Sequence, residues 1–158
     1  MPHFTCTKRY GHERGLTTVF RQHRAISHCN QLHGYALSFE FEFCCERLDE
    51  RGWVMDFGGL KAVKAWLETN FDHTLVVAED DPQIDDICAL GGLGVANVIV
   101  VERTGCEAFA SYAFEYVNAH VMAATAGRVR LLRCTVAEHD GNSATYHGIS
   151  YQNTEARV

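Results

Sequence analysis

The sequence lacks several features that mark common classes of protein. It contains only two prolines, and no run of apolar residues approaches the ~18 that a membrane-spanning helix requires. Its first residues, MPHFTCTKRYGHERG, include no apolar segment of the kind that a signal peptide needs. Basic residues do not cluster, and the formal net charge is -6, so a nucleic acid is not an expected partner. We therefore expect a cytoplasmic protein that binds neither a membrane nor a nucleic acid.

What is present fits a single soluble domain. The chain has 158 residues, of which 47% are hydrophobic and 22% are charged, and these are ordinary values for a globular protein. Seven cysteines is an odd number, and in a reducing compartment we expect them to stay free thiols. Four of them stand in apolar surroundings and are expected to be buried: Cys44, Cys45, Cys88 and Cys134. Cys29 differs, because its segment is polar.

Alternation of apolar and polar residues is strongest in residues 33–45. The apolar positions from Tyr35 to Cys45 recur at every second residue, which predicts a strand with one buried face. His33 and Tyr35 share that phase, so we expect both side chains to point toward the covered face. The other predicted strands are residues 17–26, 53–57, 96–101, 128–139 and 144–148.

Helical spacing of apolar residues appears in two longer segments. Residues 58–71 form the first predicted helix, which Asp56 would cap. The second begins near Thr104, and Thr104 and Glu107 have the spacing of a capping box. Residues 84–90 read as a helical turn. Antiparallel strands with two helices predict an α+β domain in which both helices pack on one face of the sheet.

The segment SHCNQLHGY places His28, Cys29 and His33 close together in the sequence, and His23 precedes it on the neighbouring strand. Two adjacent strands could bring one of these histidines to His33, and a catalytic zinc ion needs about three protein ligands. A nearby positive charge could activate the Cys29 thiol. The alternative is a histidine bonded to a carbonyl group at a strand end, beside an inert thiol.

Two further acidic residues, Asp72 and Glu138, are candidates for chemistry. Asp72 stands directly before His73, and such a carboxylate can orient the imidazole ring for proton transfer. Glu138 is in phase with the apolar residues of its strand, so its carboxylate needs a partner, such as a ligand with two parallel N–H donors. The alternatives are a helix-terminal turn for the first pair and a strand-end salt bridge for Glu138.

Five short segments, in order along the chain, resemble motifs of the 6-pyruvoyl-tetrahydropterin synthase family, and most closely those of its bacterial 6-carboxytetrahydropterin synthase branch. CNQLHGY resembles the family's C-x-x-x-HGH segment, and FDHTL resembles LDH-x-x-L. The other three are GWVMDFGGLK, TGCEAFASYAFEYV and AEHDGNSATYHG. The resemblance covers residues 17–148, so we expect residues 1–16 to be an N-terminal extension and residues 149–158 a polar tail.

The resemblance implies a tunnelling fold, which is a four-stranded antiparallel sheet with two helices on one face. It implies homo-oligomers, trimers or hexamers, with active sites between subunits. It also implies 7,8-dihydroneopterin triphosphate as the substrate and 6-carboxy-5,6,7,8-tetrahydropterin as the product, which is an intermediate toward the 7-deazaguanine base of queuosine.

The resemblance further implies a role for each candidate residue. Zinc would bind the side-chain oxygens of the substrate as a Lewis acid. Cys29 would move protons on one face of the substrate, and Asp72 and His73 would form the opposing relay. Glu138 would hold the 2-amino and N3 positions of the pterin, and Glu107 would contact the pterin or cap its helix.

The chain departs from the family pattern at one expected zinc ligand, because Tyr35 stands where the motif HGH has its second histidine. Three alternatives follow. His23, His28 and His33 could rebuild a three-nitrogen site, Tyr35 could ligate as phenolate, or the metal could be weak or absent. In the last case the protein would bind a pterin with different or no catalysis.

Overall fold

The computed structural model describes residues 3–148. Its strands are β1 (Phe4–Tyr10), β2 (Leu16–Phe20), β3 (His33–Cys45), β4 (Thr74–Ala78), β5 (Val98–Val101), β6 (Arg130–His139) and β7 (Asn142–His147). Its α-helices are α1 (Lys61–Phe71), α2 (Ile84–Gly92) and α3 (Cys106–Ala124). No helix within this part of the chain is long and apolar enough to cross a membrane.

The strands form one mixed sheet in the order β5-β4-β2-β3-β6-β7, and β1 also pairs with β3. On one edge of β3, β2 therefore pairs with the first half of β3 and β1 pairs with its second half. The pairs β2–β4 and β4–β5 are parallel, and the other pairs are antiparallel. The α+β class is confirmed, but the prediction of a four-stranded antiparallel sheet is wrong, since β2, β4 and β5 extend the antiparallel strands β1, β3, β6 and β7.

Strand β4 is absent from the predicted order because its sequence does not alternate. All five of its residues, TLVVA, are buried. Leu75 and Val77 pack with Ile87 of α2, whereas Val76 faces the main core. Parallel strands covered on both faces typically have such continuous apolar runs.

The predicted N-terminal extension contributes to the sheet. Within residues 1–16, β1 pairs with β3 from Phe4 opposite Cys45 to Tyr10 opposite Phe39. The predicted strand 17–26 ends at Phe20, and residues 53–57 form no strand. The predicted tail, 149–158, lies outside the described residues.

The buried face of β3 forms the main core, as the alternation predicts. Phe39, Phe41 and Leu37 are fully buried on this face. Helices α1 and α3 both cover it: the Phe71 ring lies 4.8 Å from that of Phe39, and the Phe109 ring lies 5.3 Å from that of Phe71. Both predicted helices therefore pack on one face of the sheet, while α2 packs elsewhere.

The starts of the two long helices differ from each other. Asp56 accepts a hydrogen bond from the Gly58 amide at 2.8 Å, as predicted, and a 3-10 turn, Phe57–Leu60, leads into α1. The capping box predicted for α3 is wrong, because the Thr104 hydroxyl donates instead to the Arg21 carbonyl oxygen at 2.6 Å. No side chain caps α3, which Gly105 precedes.

All seven cysteines lie within the described residues and are free thiols. Cys44, Cys45 and Cys134 are buried, as predicted, whereas Cys88 is half-buried. Burial raises the pKa of Cys44 to about 11 and raises the pKa of Cys134 as well. These two thiols therefore stay protonated at neutral pH and serve as small apolar side chains.

Candidate functional site

The end of β6 meets the start of α3, and this junction places Glu138. Cys106, the first residue of α3, hydrogen-bonds with the backbone of Glu138. Burial, followed by the charges of Glu138 and Glu107, raises the pKa of Cys106 to about 12. The Cys106 thiol is therefore neutral at physiological pH, and it lies beside the backbone of Glu138. Sequence reasoning missed Cys106, although it directly precedes Glu107 in the motif.

Tyr35 joins this junction from β3. Its ring lies 5.7 Å from the His33 ring, 6.1 Å from the His139 ring and 6.3 Å from the Phe20 ring. Burial raises the pKa of Tyr35, and the charges of Glu138 and Cys29 add to this effect. These surroundings favour the neutral phenol over the phenolate.

Cys29 lies in the 3-10 turn His28–Asn30 and is half-buried. Its backbone N–H donates to the Ser27 hydroxyl at 3.3 Å, and its backbone carbonyl oxygen accepts from the backbone N–H of Gln22 at 2.9 Å. These bonds fix the backbone of Cys29 beside the end of β2. The structure thus brings Cys29, Tyr35 and Glu138 into one neighbourhood.

The three candidate zinc ligands do not form one site. His33 donates from Nδ1 to the Gln31 carbonyl oxygen at 2.7 Å, which leaves its Nε2 available. His23 lies past the end of β2, where Nε2 is 3.6 Å from an Asp80 carboxylate oxygen and Nδ1 is 3.9 Å from one of Asp81. His28 is exposed on its turn.

Within residues 3–148, no three histidine, cysteine, aspartate or glutamate side chains are close enough together to hold a metal ion. Both ring nitrogens of His23 face carboxylates. The residues present therefore do not fit a three-histidine zinc site. No step below uses a metal.

Asp72 and His73 form the predicted pair, at some distance from this neighbourhood. The His73 Nδ1 atom donates to the Asp72 carboxylate at 2.6 Å, and His73 adopts a left-handed backbone conformation with φ 54°. Thr74, the next residue, pairs with Thr18, which pairs with Tyr35 on its other side. Two strand spacings, or about 10 Å, therefore separate the backbone of Thr74 from that of Tyr35. The His73 side chain is 86% exposed.

Glu107 is exposed and faces a different space. It lines a cavity of about 530 Å³ together with residues of β5 and the β5–α3 loop. A smaller cavity of about 170 Å³ lies beside it, and Arg103 and Thr104 line both. Neither of these cavities is lined by Cys29, Tyr35 or Glu138, so Glu107 stands at the border of the candidate site.

A buried ion pair fixes the segment that carries Cys29. Arg21 bonds to Asp81 through Nε at 2.8 Å and Nη2 at 2.6 Å, and its Nη1 donates to the Asn30 carbonyl oxygen at 3.2 Å. Asp81, whose side chain is 1% exposed, also accepts from the Gln83 amide. Sequence reasoning missed this pair because sixty positions separate its members.

We expect Asp81→Asn to lower the free energy of unfolding by about 2–3 kcal/mol at neutral pH, because it leaves the Arg21 charge without its carboxylate. The bond from Arg21 holds the pKa of Asp81 below its usual range. A lowered folded-state pKa stabilises the protein above the ordinary carboxyl pKa of about 3.9, and this stabilisation is lost as pH falls through the folded-state value.

Urea unfolding of the wild type and Asp81→Asn, at neutral pH and at about pH 3, measures both effects. The difference between the two proteins should shrink at the lower pH. Asp80→Asn is the matched control, since that carboxylate is 41% exposed and should contribute less than about 1 kcal/mol. Equal losses of unfolding free energy in Asp81→Asn and Asp80→Asn would contradict the conclusion that the buried Arg21–Asp81 pair stabilises the protein.

Gly105 allows the Gln22 side chain to reach the start of α3. The φ angle of Gly105 is 107°, which residues other than glycine rarely adopt. A Cβ atom at this position would collide with the side-chain amide of Gln22. We expect Gly105→Ala to lower the free energy of unfolding by about 1–3 kcal/mol. Gly92→Ala in α2 is the control, because Gly92 has open space around it. Urea unfolding midpoints that shift equally in both variants would refute this reason.

The neighbourhood of Cys29, Tyr35 and Glu138 contains groups that can bind or act on a small molecule. It combines a carboxylate, a thiol and a phenol with aromatic rings, near the junction of β3, β6 and α3. A sequence profile described as 6-pyruvoyl tetrahydropterin synthase matches residues 3–149, and the chain belongs to this family.

Individual proteins show the same similarity. The 6-carboxy-5,6,7,8-tetrahydropterin synthase of Rickettsia felis is 36% identical over 83 residues, which are 50% of this chain and 55% of that protein. The matched part thus spans about half of that relative. The protein of the same name from Aquifex aeolicus is 23% identical over 135 residues, which are 84% of this chain and 83% of that protein.

Two solved structures share the fold. An uncharacterized protein from Wolinella succinogenes superposes with a TM-score of 0.80 at 15% identity, over 94% of this chain and 100% of that chain. The Plasmodium falciparum 6-pyruvoyl tetrahydropterin synthase gives a TM-score of 0.65 at 13% identity, over 92% and 98%. The mixed sheet with its helices is therefore the fold of this family.

Proposed function

We propose that the protein is a lyase that converts 7,8-dihydroneopterin triphosphate and one molecule of water to 6-carboxy-5,6,7,8-tetrahydropterin, with release of triphosphate and a two-carbon aldehyde. The observation that carries this proposal is the neighbourhood of Glu138, Tyr35 and Cys29 at the junction of β3, β6 and α3. The names of the similar proteins from Rickettsia felis and Aquifex aeolicus support it.

Glu138 would bind the pterin ring. A carboxylate offers two acceptor oxygens, and a pterin presents its 2-amino group and N3–H as two parallel donors. Cys106, at the start of α3, lies against the backbone of Glu138 and would help to hold this strand end in place.

Cys29 would act on the side chain of the substrate. As thiolate it would accept a proton from the side-chain carbon that is attached to the pterin ring. The two backbone bonds of Cys29 hold its turn against the end of β2. Glu107, at the border of the site, would contact the pterin only if the ring extends beyond Glu138.

Asp72 and His73 would form the opposing proton relay. In one chain they lie across β2 from Tyr35, and the His73 ring is largely exposed. We propose that the protein forms a homo-oligomer, a trimer or a hexamer, in which this pair of one copy completes the site of another. The product would supply the synthesis of the 7-deazaguanine base of queuosine.

A second candidate is a pterin-binding protein without this catalysis. Two observations favour this candidate. Tyr35 stands where the family motif has a histidine, and His23 lies between two carboxylates. In this case Glu138 would keep its role, and Cys29 would have none.

Mass spectrometry of the products separates the two candidates. The purified protein is incubated with 7,8-dihydroneopterin triphosphate, with and without added zinc. The lyase proposal predicts a carboxy-pterin that accumulates over time. Unchanged substrate together with measurable pterin binding would favour the binding protein, and the absence of both would refute both candidates.

A further inference from the structure

The Tyr35 hydroxyl is available for a ligand. Three rings, those of Phe20, His33 and His139, surround the Tyr35 ring, so the direction of the phenol is fixed. Among residues 3–148 the hydroxyl has no hydrogen-bond partner, and it is not one of the buried polar atoms without a partner. It therefore reaches solvent, where a ligand could bond to it.

Tyr35 lies near both groups that the proposed function assigns to the substrate, since the charges of Glu138 and Cys29 both act on its phenol. Its ring lies 6.1 Å from that of His139, the residue after Glu138, and 6.3 Å from that of Phe20 at the end of β2. A ligand that contacts both Glu138 and Cys29 would therefore lie close to the Tyr35 hydroxyl.

Two of the three candidate zinc ligands, His23 and His33, have polar partners of their own. Moving His23 into the site would separate it from Asp80 and Asp81, of which Asp81 is fixed by Arg21. The His33 Nδ1 atom is bonded to Gln31, so one ring nitrogen, Nε2, remains beside Tyr35.

We propose that the Tyr35 hydroxyl hydrogen-bonds the side-chain oxygen nearest to the pterin ring, and that this contact, rather than a metal held by three histidines, directs the side chain of the substrate toward Cys29. The inference rests on the proposed pterin site. A phenol both donates and accepts a hydrogen bond, so it suits either a hydroxyl or a carbonyl oxygen. Tyr35 is thus a positioning residue, and the contact involves no covalent step.

Two ligands that differ only in the side chain test this contact. Neopterin has the hydroxylated side chain, and pterin has a hydrogen in its place. We expect Tyr35→Phe to weaken neopterin binding about 5-fold, as for the loss of one neutral hydrogen bond, and to leave pterin binding unchanged. Fluorescence quenching measures both affinities. Tyr10→Phe is the control, because Tyr10 is buried against Phe41 in β1 and β3.

The same measurements can overturn the inference. Equal neopterin affinity in the wild type and Tyr35→Phe would mean that the hydroxyl does not touch the side chain, while the proposed pterin site would stand. Equal losses for neopterin and pterin would mean that Tyr35 acts on the ring or the fold. A wild-type protein that binds neither ligand would refute the proposed function and this inference with it.

Zinc binding is measured separately, by equilibrium dialysis of the wild type, His23→Ala and His33→Ala. We expect much less than one zinc ion per chain in all three proteins, and neopterin affinity that does not change with a chelator. One zinc ion per wild-type chain that is lost in both variants would show a shared histidine site and would overturn the inference.

Discussion

Glu138→Gln weakens pterin binding by about 10- to 100-fold, if Glu138 accepts two hydrogen bonds from the pterin ring. The amide replaces one acceptor oxygen by a donor, which then faces an N–H group of the ligand, and it removes the charge that strengthens both bonds. A bond to a charged group contributes about 1.5–3 kcal/mol, and each 1.4 kcal/mol changes affinity about tenfold. Quenching of neopterin fluorescence gives the dissociation constants.

Glu102→Gln is the matched control for this measurement. Glu102 is an exposed carboxylate beside Arg103, and it lies outside the neighbourhood of Tyr35. We expect its variant to bind neopterin as the wild type does. If Glu138→Gln also binds with wild-type affinity, Glu138 is a structural residue of the β6 end and the pterin site lies elsewhere.

Cys29→Ala lowers turnover by about 100-fold or more and leaves both folding and pterin affinity unchanged. A positioned proton-transfer group typically accelerates a reaction by about 10²–10⁴-fold, and alanine cannot transfer a proton. The side chain is half-buried on a turn that backbone bonds hold, so its truncation should cost little stability. Product formation, urea unfolding and neopterin quenching measure the three quantities.

Cys88→Ala provides the comparison, because Cys88 is also half-buried but lies on α2 beside the small cluster of Leu75, Val77 and Ile87. We expect it to keep wild-type turnover. Turnover that survives in Cys29→Ala would remove this thiol from the mechanism. A loss of unfolding free energy in Cys29→Ala alone would instead indicate that the side chain supports the turn.

The fold could be predicted where the sequence carries a regular period. The alternation in residues 33–45 places β3 correctly and predicts which face the helices cover. Strand β4 has no such signal, because burial on both faces makes its five residues uniformly apolar. Strand β1 is half exposed and lies before the region of resemblance, so only its pairing with β3 reveals it.

In the candidate site, too, features that depend on nearby residues could be predicted from the sequence, and features that depend on distant residues could not. Motif order identifies Cys29 and Glu138, and strand phase correctly turns Tyr35 toward the covered face. The position of His23 depends on where β2 ends and on the carboxylates of Asp80 and Asp81, far along the chain. The capping-box prediction failed for a similar reason, since Thr104 bonds to Arg21 rather than within its own helix.

A crystal structure of the protein with neopterin bound would show directly whether Glu138 binds the pterin ring. We expect the pyrimidine edge of the pterin to lie within hydrogen-bonding distance of both Glu138 carboxylate oxygens, with its side chain passing the Tyr35 hydroxyl toward Cys29. A pterin bound instead in the cavity lined by Arg103, Glu107 and Glu115, away from Glu138, would contradict it.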